Sequence, residues 1–155
     1  MSITLPTTIT IDAPREAVWG VLTDFPNYGA WSNFSRIDGV AEEGTRLSMR
    51  MPGMVFSSTV TVANANSQLQ WSTHIISNSV FLGQHTFTLE STPDGKTVFN
   101  NSELFAGILV KPFGRLFTNS KRPNGYDLFN RALKTRVEAL SAHAIRGATA
   151  PAVHA

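Results

Sequence analysis

Two stretches of this chain, Phe81 to Glu90 and Val98 to Gly107, alternate apolar and polar residues, are joined by the turn Thr92-Pro93-Asp94-Gly95-Lys96, and are followed by a long amphipathic segment. Side chains in a strand change sides at every residue, so each stretch reads as a strand with one inward face. His85, Phe87 and Leu89 share that face in the first; Phe99, Asn101, Glu103 and Phe105 share it in the second. A bulged turn of odd length sets Leu89 opposite Phe99, Phe87 opposite Asn101, and His85 opposite Glu103. An imidazole and a carboxylate then meet on an otherwise apolar surface, which is how a pocket begins.

The rest of the chain supplies more strands. Residues 3–11 form a first one, with Pro6 tolerable only on an edge or at a bulge. Asp12-Ala13-Pro14-Arg15-Glu16 reads as a helix start with an acidic cap, Val18, Val21, Leu22 and Phe25 as its apolar stripe, and Pro26 as its stop. Period-two patterns near 34–40, 45–51, 55–63, 68–76, 81–91 and 97–107 then predict six strands in an antiparallel meander. Their inward residues include Leu47, Met49 and Met51, then Phe56, Ser58, Val60 and Val62, then Leu69, Trp71, Thr73 and Ile75. Prolines and glycines over 108–125 predict a loop with a helical turn or two. Tyr126, Phe129, Leu133, Val137 and Leu140 recur at helical spacing and predict a closing helix of about five turns. The expected organisation is one domain over 1–146 and a flexible tail over 147–155.

At 155 residues the chain is long enough for a single domain to bury roughly 70% of the surface of its unfolded form. Cysteine is absent, and His74, His85, His143 and His154 lack metal-site spacing, so neither a disulfide framework nor a metal centre is expected. Neither a GxGxxG nor a GxxxxGK[ST] loop is present to cradle a nucleotide, so no cofactor is expected. The N-terminus lacks a basic segment followed by an apolar stretch, and nowhere is there an apolar run of the ~20 residues that span a bilayer. These features predict a soluble, cytoplasmic protein without membrane insertion. From Lys111 onward there are eight Lys or Arg against Asp127 and Glu138 alone, a bias read as a solvated face; no RNA-binding signature supports nucleic acid. The oligomeric state is not encoded in any of these patterns.

The order strand, two short helices, six strands and a closing helix resembles the START-like or SRPBCC (Bet v1-like) superfamily over about residues 3 to 142. The segments that carry the likeness are Ile11-Asp12-Ala13-Pro14-Arg15-Glu16-Ala17-Val18-Trp19, Asp24-Phe25-Pro26-Asn27-Tyr28-Gly29-Ala30-Trp31, Gly83-Gln84-His85-Thr86-Phe87-Thr88-Leu89-Glu90 and Glu103-Leu104-Phe105-Ala106-Gly107. Within the superfamily the chain is most similar to the polyketide cyclase/dehydrase-like branch. The resemblance implies an α+β helix-grip fold, a curved seven-stranded antiparallel sheet around the long helix with a cavity between them. It implies no particular catalytic residues, since these differ among the superfamily's enzymes, carriers and chaperone activators.

Candidate site residues therefore come from the pattern itself. His85 and Glu103 suit acid/base work on an enolizable carbonyl or a leaving hydroxyl, because a facing carboxylate orients and charges an imidazole. Two polar groups on an apolar face also satisfy each other without any chemistry. Tyr126 would complete the catalytic set as a hydroxyl donor, or be an amphipathic ring with a wet tip. Asn101 is a candidate anchor for a ligand oxygen or a bridge between strands. Trp31, Met49, Phe56, Trp71, Phe87, Phe105 and Phe129 are candidate ligand walls, each with core packing as its alternative. Met51 and Met54 would lend such a wall compliance or fill gaps. Two functions follow: a cofactor-independent enzyme that cyclizes, dehydrates or isomerizes an aromatic or polyketide-like molecule, and a non-catalytic carrier or sensor of a hydrophobic ligand. A protein-interaction module using the outer sheet or the basic helix is a third.

Overall fold

The computed structural model describes residues 2–75, 77, 80–110 and 125–148. In chain order its elements are β1 (Ser2–Ile11), α1 (Arg15–Thr23), a 3-10 helix (Phe25–Ala30), β2 (Arg36–Asp38), β3 (Arg46–Met51), β4 (Met54–Asn64), β5 (Gln68–Ile75), β6 (Phe81–Ser91), β7 (Thr97–Ala106) and α2 (Gly125–Ala148). All seven strands form one antiparallel sheet in the order β1-β7-β6-β5-β4-β3-β2. β1 is an edge, and Pro6 lies within it opposite Ser102, where a missing N–H is tolerable because a second neighbour is absent. No described helix is long and apolar enough to cross a membrane.

The β6–β7 register pairs His85 with Glu103, Phe87 with Asn101 and Leu89 with Phe99, as the alternation predicts. The loop between them closes with Thr92 Oγ1 accepting from the Lys96 amide at 2.9 Å and with Gly95 at φ +81, a conformation a side chain rarely adopts. Five residues, 92–96, separate the paired Ser91 and Thr97.

Several expectations need correction. The strand near 34–40 contracts to Arg36–Asp38, since Gly39 turns the chain at φ +129. In β4 a bulge between Val60 and Val62 inserts one residue, and each residue beyond it changes face. Val62 therefore pairs with Gln70 outside the core, and Ala63, opposite Leu69, packs inward instead. Asp12 caps nothing: α1 begins three residues beyond it, at Arg15 after Pro14, and no side chain caps its amides. The Asp12 amide donates instead to Glu138 Oε1 at 2.8 Å, tying the strand end to α2. Asp24, between α1 and the 3-10 helix, likewise bonds no backbone amide and accepts from Asn27 Nδ2 at 2.8 Å. The loop predicted over 108–125 and the tail fall mostly outside the described residues, as does the side chain of Ile75.

α2 packs against β1, β7 and α1. Leu133 and Val137 are buried on its inner face among Ile11, Val18, Leu22 and Phe99. Lys134 Nζ reaches the Thr10 carbonyl at 2.7 Å and Glu138 at 2.9 Å, so two charges one turn apart pin the same strand end. α2 continues to Ala148, beyond the predicted five turns. Leu140, placed by the spacing on the inner stripe, is 45% exposed because the helix has by then run past the sheet. Leu133→Ala should cost about 2–5 kcal/mol, and Leu140→Ala no more than about 0.5 kcal/mol. Urea unfolding of both variants measures the contrast; equal losses would place Leu140 in the core after all.

Candidate functional site

A cavity of about 530 Å³ lies between the sheet and the start of α2. Its wall is largely aromatic: Phe56 from β4, Trp71 from β5, Phe81 and Phe87 from β6, Phe105 from β7, and Tyr126 and Phe129 from α2. Phe34, Met51 and Met54 extend the wall, and Asn33, Thr73, Gly83, His85, Asn101, Glu103 and Gly125 complete it. Gly83 matters here, because a Cβ at that position would sit 3.5 Å from Glu103 Oε1 and 3.6 Å from both the Phe81 and Phe105 rings. Without it the cavity stays open beside the carboxylate.

Tyr126, Glu103 and His85 form the polar floor, and Asn101 supports it from below. Tyr126 OH donates a short hydrogen bond to Glu103 Oε2. The same Oε2 lies 3.6 Å from His85 Nδ1, close enough for charge attraction and too far for a hydrogen bond. His85 Nε2 bonds Asn101 Oδ1 at 2.6 Å, and the imidazole packs against Trp71, Phe87 and Tyr126 with centroids 4.4 to 5.6 Å away. Strand alternation explains the grouping: His85 and Glu103 are cross-strand partners, and Asn101 is two residues from Glu103 on the same face.

Beneath this floor runs a buried chain of amides. Asn101 Nδ2 donates to Asn130 Oδ1 at 2.8 Å, and Asn130 Nδ2 donates to Thr7 Oγ1 at 3.0 Å. Thr7 Oγ1 in turn donates to the Asn101 carbonyl at 3.0 Å. Asn101 and Asn130 are fully buried, and an amide in such a place is stable only when its donors and acceptors are met. On a second wall Ser58 Oγ and Thr73 Oγ1 share a 2.5 Å hydrogen bond.

Burial pulls the His85 pKa below its ordinary 6.5 because charging the ring would cost solvation; Glu103 and the Asn101 bond restore part of that loss. The ring is therefore neutral near pH 7. The Tyr126 phenol is pushed up, first by burial and then by the charge and hydrogen bond of Glu103, so it remains a proton donor.

Of the residues singled out from sequence, His85, Glu103, Tyr126, Asn101, Phe56, Trp71, Phe87, Phe105 and Phe129 come together around the cavity. Trp31 and Met49 do not. Trp31 meets Tyr28 edge-on at 4.7 Å and Phe129 at a tilt at 5.2 Å on the core side, and Met49 is wholly buried, receiving a 3.8 Å contact from Ser58 Oγ. Asn130 and Thr7 escaped the sequence reading. A signal existed for Asn130, an amide four residues after Tyr126 and three before Leu133 and so on the helix's inner stripe. Thr7, on an edge strand of threonines, carried none.

A family model described as polyketide cyclase / dehydrase and lipid transport matches residues 2–139. No curated protein matches the chain in sequence at a significant level. Among solved structures, the protein MLL2253 of Mesorhizobium loti is 19% identical, with a TM-score of 0.65 over 88% of this chain and 98% of that one. Norcoclaurine synthase of Thalictrum flavum is 13% identical, with a TM-score of 0.68 over 90% and 88%. The protein NE0264 of Nitrosomonas europaea is 13% identical, with a TM-score of 0.70 over 90% and 97%. At these identities the likeness is one of fold, the Bet v1-like helix grip.

The depressed His85 pKa has a consequence for stability. As pH falls, the unfolded chain takes up this proton first, so the contribution is complete above 6.5 and is lost as pH drops through the lower folded value. Unfolding free energy should therefore fall more steeply between about pH 7 and 5 in the natural chain than in His85→Gln. Urea titrations at each pH read the two slopes, and parallel slopes would show that burial of the ring is not linked to folding.

Proposed function

The chain belongs to the polyketide cyclase / dehydrase and lipid transport family, and from that membership and the floor of its cavity we propose that it binds an aromatic or polyketide-like small molecule and catalyses its cyclization, dehydration or isomerization by proton transfer. The observation that carries this reading is the cluster itself. A neutral imidazole, a carboxylate and a phenol meet in one aromatic hollow, with His85 Nδ1 3.6 Å from Glu103. The fold of norcoclaurine synthase, described in complex with dopamine and hydroxybenzaldehyde, supports the capacity of such a hollow for small aromatic molecules.

In this reading His85 is the base. Its Nδ1 takes a hydrogen from the carbon beside a ligand carbonyl, and the C–H electron pair becomes part of an enolate. The imidazolium formed is held by Glu103, whose charge recovers part of what burial costs. In a dehydration the enolate expels a β-hydroxyl, which leaves as water with the proton returned from His85. In a cyclization the enolate carbon attacks a second carbonyl, and the same proton quenches the alkoxide. Either way the ring ends neutral, and nothing but proton and electron pairs within the substrate has moved. The aromatic wall contributes orientation by folding the ligand so that the reacting carbons meet.

The second reading, a carrier of hydrophobic ligands, is favoured by the family's inclusion of lipid transport and by the mostly hydrocarbon wall. One experiment separates them. Native mass spectrometry of the purified protein identifies what it retains, and that molecule is assayed for turnover and for binding with the natural chain and with His85→Gln. The enzyme reading expects binding within a few-fold and turnover lower by about 10²–10⁴ in the variant, with the natural rate falling as acid protonates His85. Turnover unaffected by the substitution, or absent from both proteins, would leave the carrier.

A further inference from the structure

The direction of the buried hydrogen-bond chain determines what the cavity can recognise. A hydroxyl has a single hydrogen, and Thr7 gives its hydrogen to the Asn101 carbonyl at 3.0 Å. Thr7 Oγ1 can then only accept, so Asn130 must turn its Nδ2 toward it and its Oδ1 toward Asn101. Asn101 in turn must present Nδ2 to Asn130 and Oδ1 to His85. At the end of the chain, 2.6 Å from an amide oxygen, His85 Nε2 must carry the hydrogen. The neutral ring is thus fixed as the Nε2–H tautomer, and its lone pair lies on Nδ1.

Nδ1 stands 3.6 Å from Glu103 Oε2, an oxygen that already accepts from Tyr126. Two acceptors face one another, and among the described residues nothing is donated between them. An atom at hydrogen-bond length, about 2.8 Å, from both fits over a gap of this width. It has to bring its own hydrogen. Gly83 leaves the space beside Glu103 Oε1 open, and the rings of Phe81 and Phe105 border it.

We propose that the polar end of the cavity recognises ligands by a hydrogen-bond-donating head on an aromatic or otherwise apolar body, a phenolic or enolic hydroxyl or a protonated amine, seated between His85 Nδ1 and Glu103, and that Asn130 and Thr7 are positioning residues that set this polarity through Asn101. The inference rests on the ligand-binding reading of the cavity and narrows it. A hydroxyl or ammonium gains a partner on arrival, whereas an ether or ketone oxygen brings a third acceptor to two and has no hydrogen to give either, an arrangement buried sites reject strongly.

The probes are a naphthol, a naphthylmethylamine, the naphthyl methyl ether and acetylnaphthalene, titrated into the full chain by calorimetry near pH 7.5. The naphthol or the amine should bind at least about tenfold more tightly than the ether and the ketone, and whichever of the two is tighter assigns the head as hydroxyl or ammonium. Nitrogen NMR of the ring should show His85 Nε2 protonated and Nδ1 bare. In Asn130→Leu, or in the gentler Thr7→Val should that variant not fold, the amides are free to reverse, so the Nδ1–H tautomer should gain population and the preference for donors should shrink. Ether and naphthol binding equally, or an Nδ1–H ring in the natural protein, would overturn the inference while leaving the cavity a binding site. Failure of all four probes to bind would instead overturn the reading of the cavity beneath it.

Discussion

The pairing of β6 with β7 governs the remainder of the molecule. Strand side chains have a period of two, so slipping this register by one residue would set His85 and Phe87 on the same face as Ser102 and Leu104 and leave Asn101, Glu103 and Phe105 on the opposite one. The five-residue turn with Gly95 at its positive-φ corner resists that slip, and so do the aromatic contacts that the correct register makes possible. Phe87 alone meets Phe99 and Phe129 in stacked geometry at 5.7 Å and Trp71 edge-on at 5.0 Å. Core and floor are therefore specified together: the residues that bury Phe87 also fix where the imidazole stands.

The link from sheet to helix is polar at one end and apolar at the other. Toward the C-terminal half of α2, Leu133 and Val137 pack against Ile11, Val18 and Phe99, and Glu138 with Lys134 clamps the strand end. Toward its start, Asn130 and Tyr126 bond Asn101 and Glu103. Apolar packing is non-directional and would accept small rotations of the helix. The amide pair would not, since a buried donor left unmet costs about 1–3 kcal/mol. The polar bonds thus set the rotation of α2 about its axis, and through it the height of Tyr126 and Phe129 above the sheet.

Much of this was legible in the chain. Alternation over 81–107 gave the strands, their pairing and the meeting of His85 with Glu103, because each depends only on period and turn length. Pro6 restricted the first strand to an edge or a bulge, where a missing N–H is forgiven, and β1 is an edge. What escaped depends on single insertions or on distances along the third dimension. The bulge at Val60/Val62 leaves the run Thr59-Val60-Thr61-Val62 alternating as before, so nothing in the pattern announces that Ala63 takes the inner face. Leu140 keeps helical spacing past the point where the sheet ends. Trp31 and Met49 have the composition of a ligand wall and are consumed by the core, because the rings of Tyr28, Trp31, Phe34 and Phe129 crowd one end of the space between sheet and helix.

That crowding explains why a hollow exists at all. Packed interiors leave few voids larger than a water molecule, and this one measures about 530 Å³. The large rings that fill one end hold α2 off the sheet, and toward the other end Gly83 and Gly125 withdraw side chains from the wall. Filling the space with larger apolar groups would gain contact area but would shut Glu103 away from any hydrogen except that of Tyr126 and would press a hydrocarbon onto the His85 lone pair. A carboxylate and an imidazole at the floor are compatible with folding only while something polar can reach them. The hollow and its polar floor therefore require one another: remove the space and the polar groups become a liability, remove the polar groups and the glycines that keep the space open lose their physical reason.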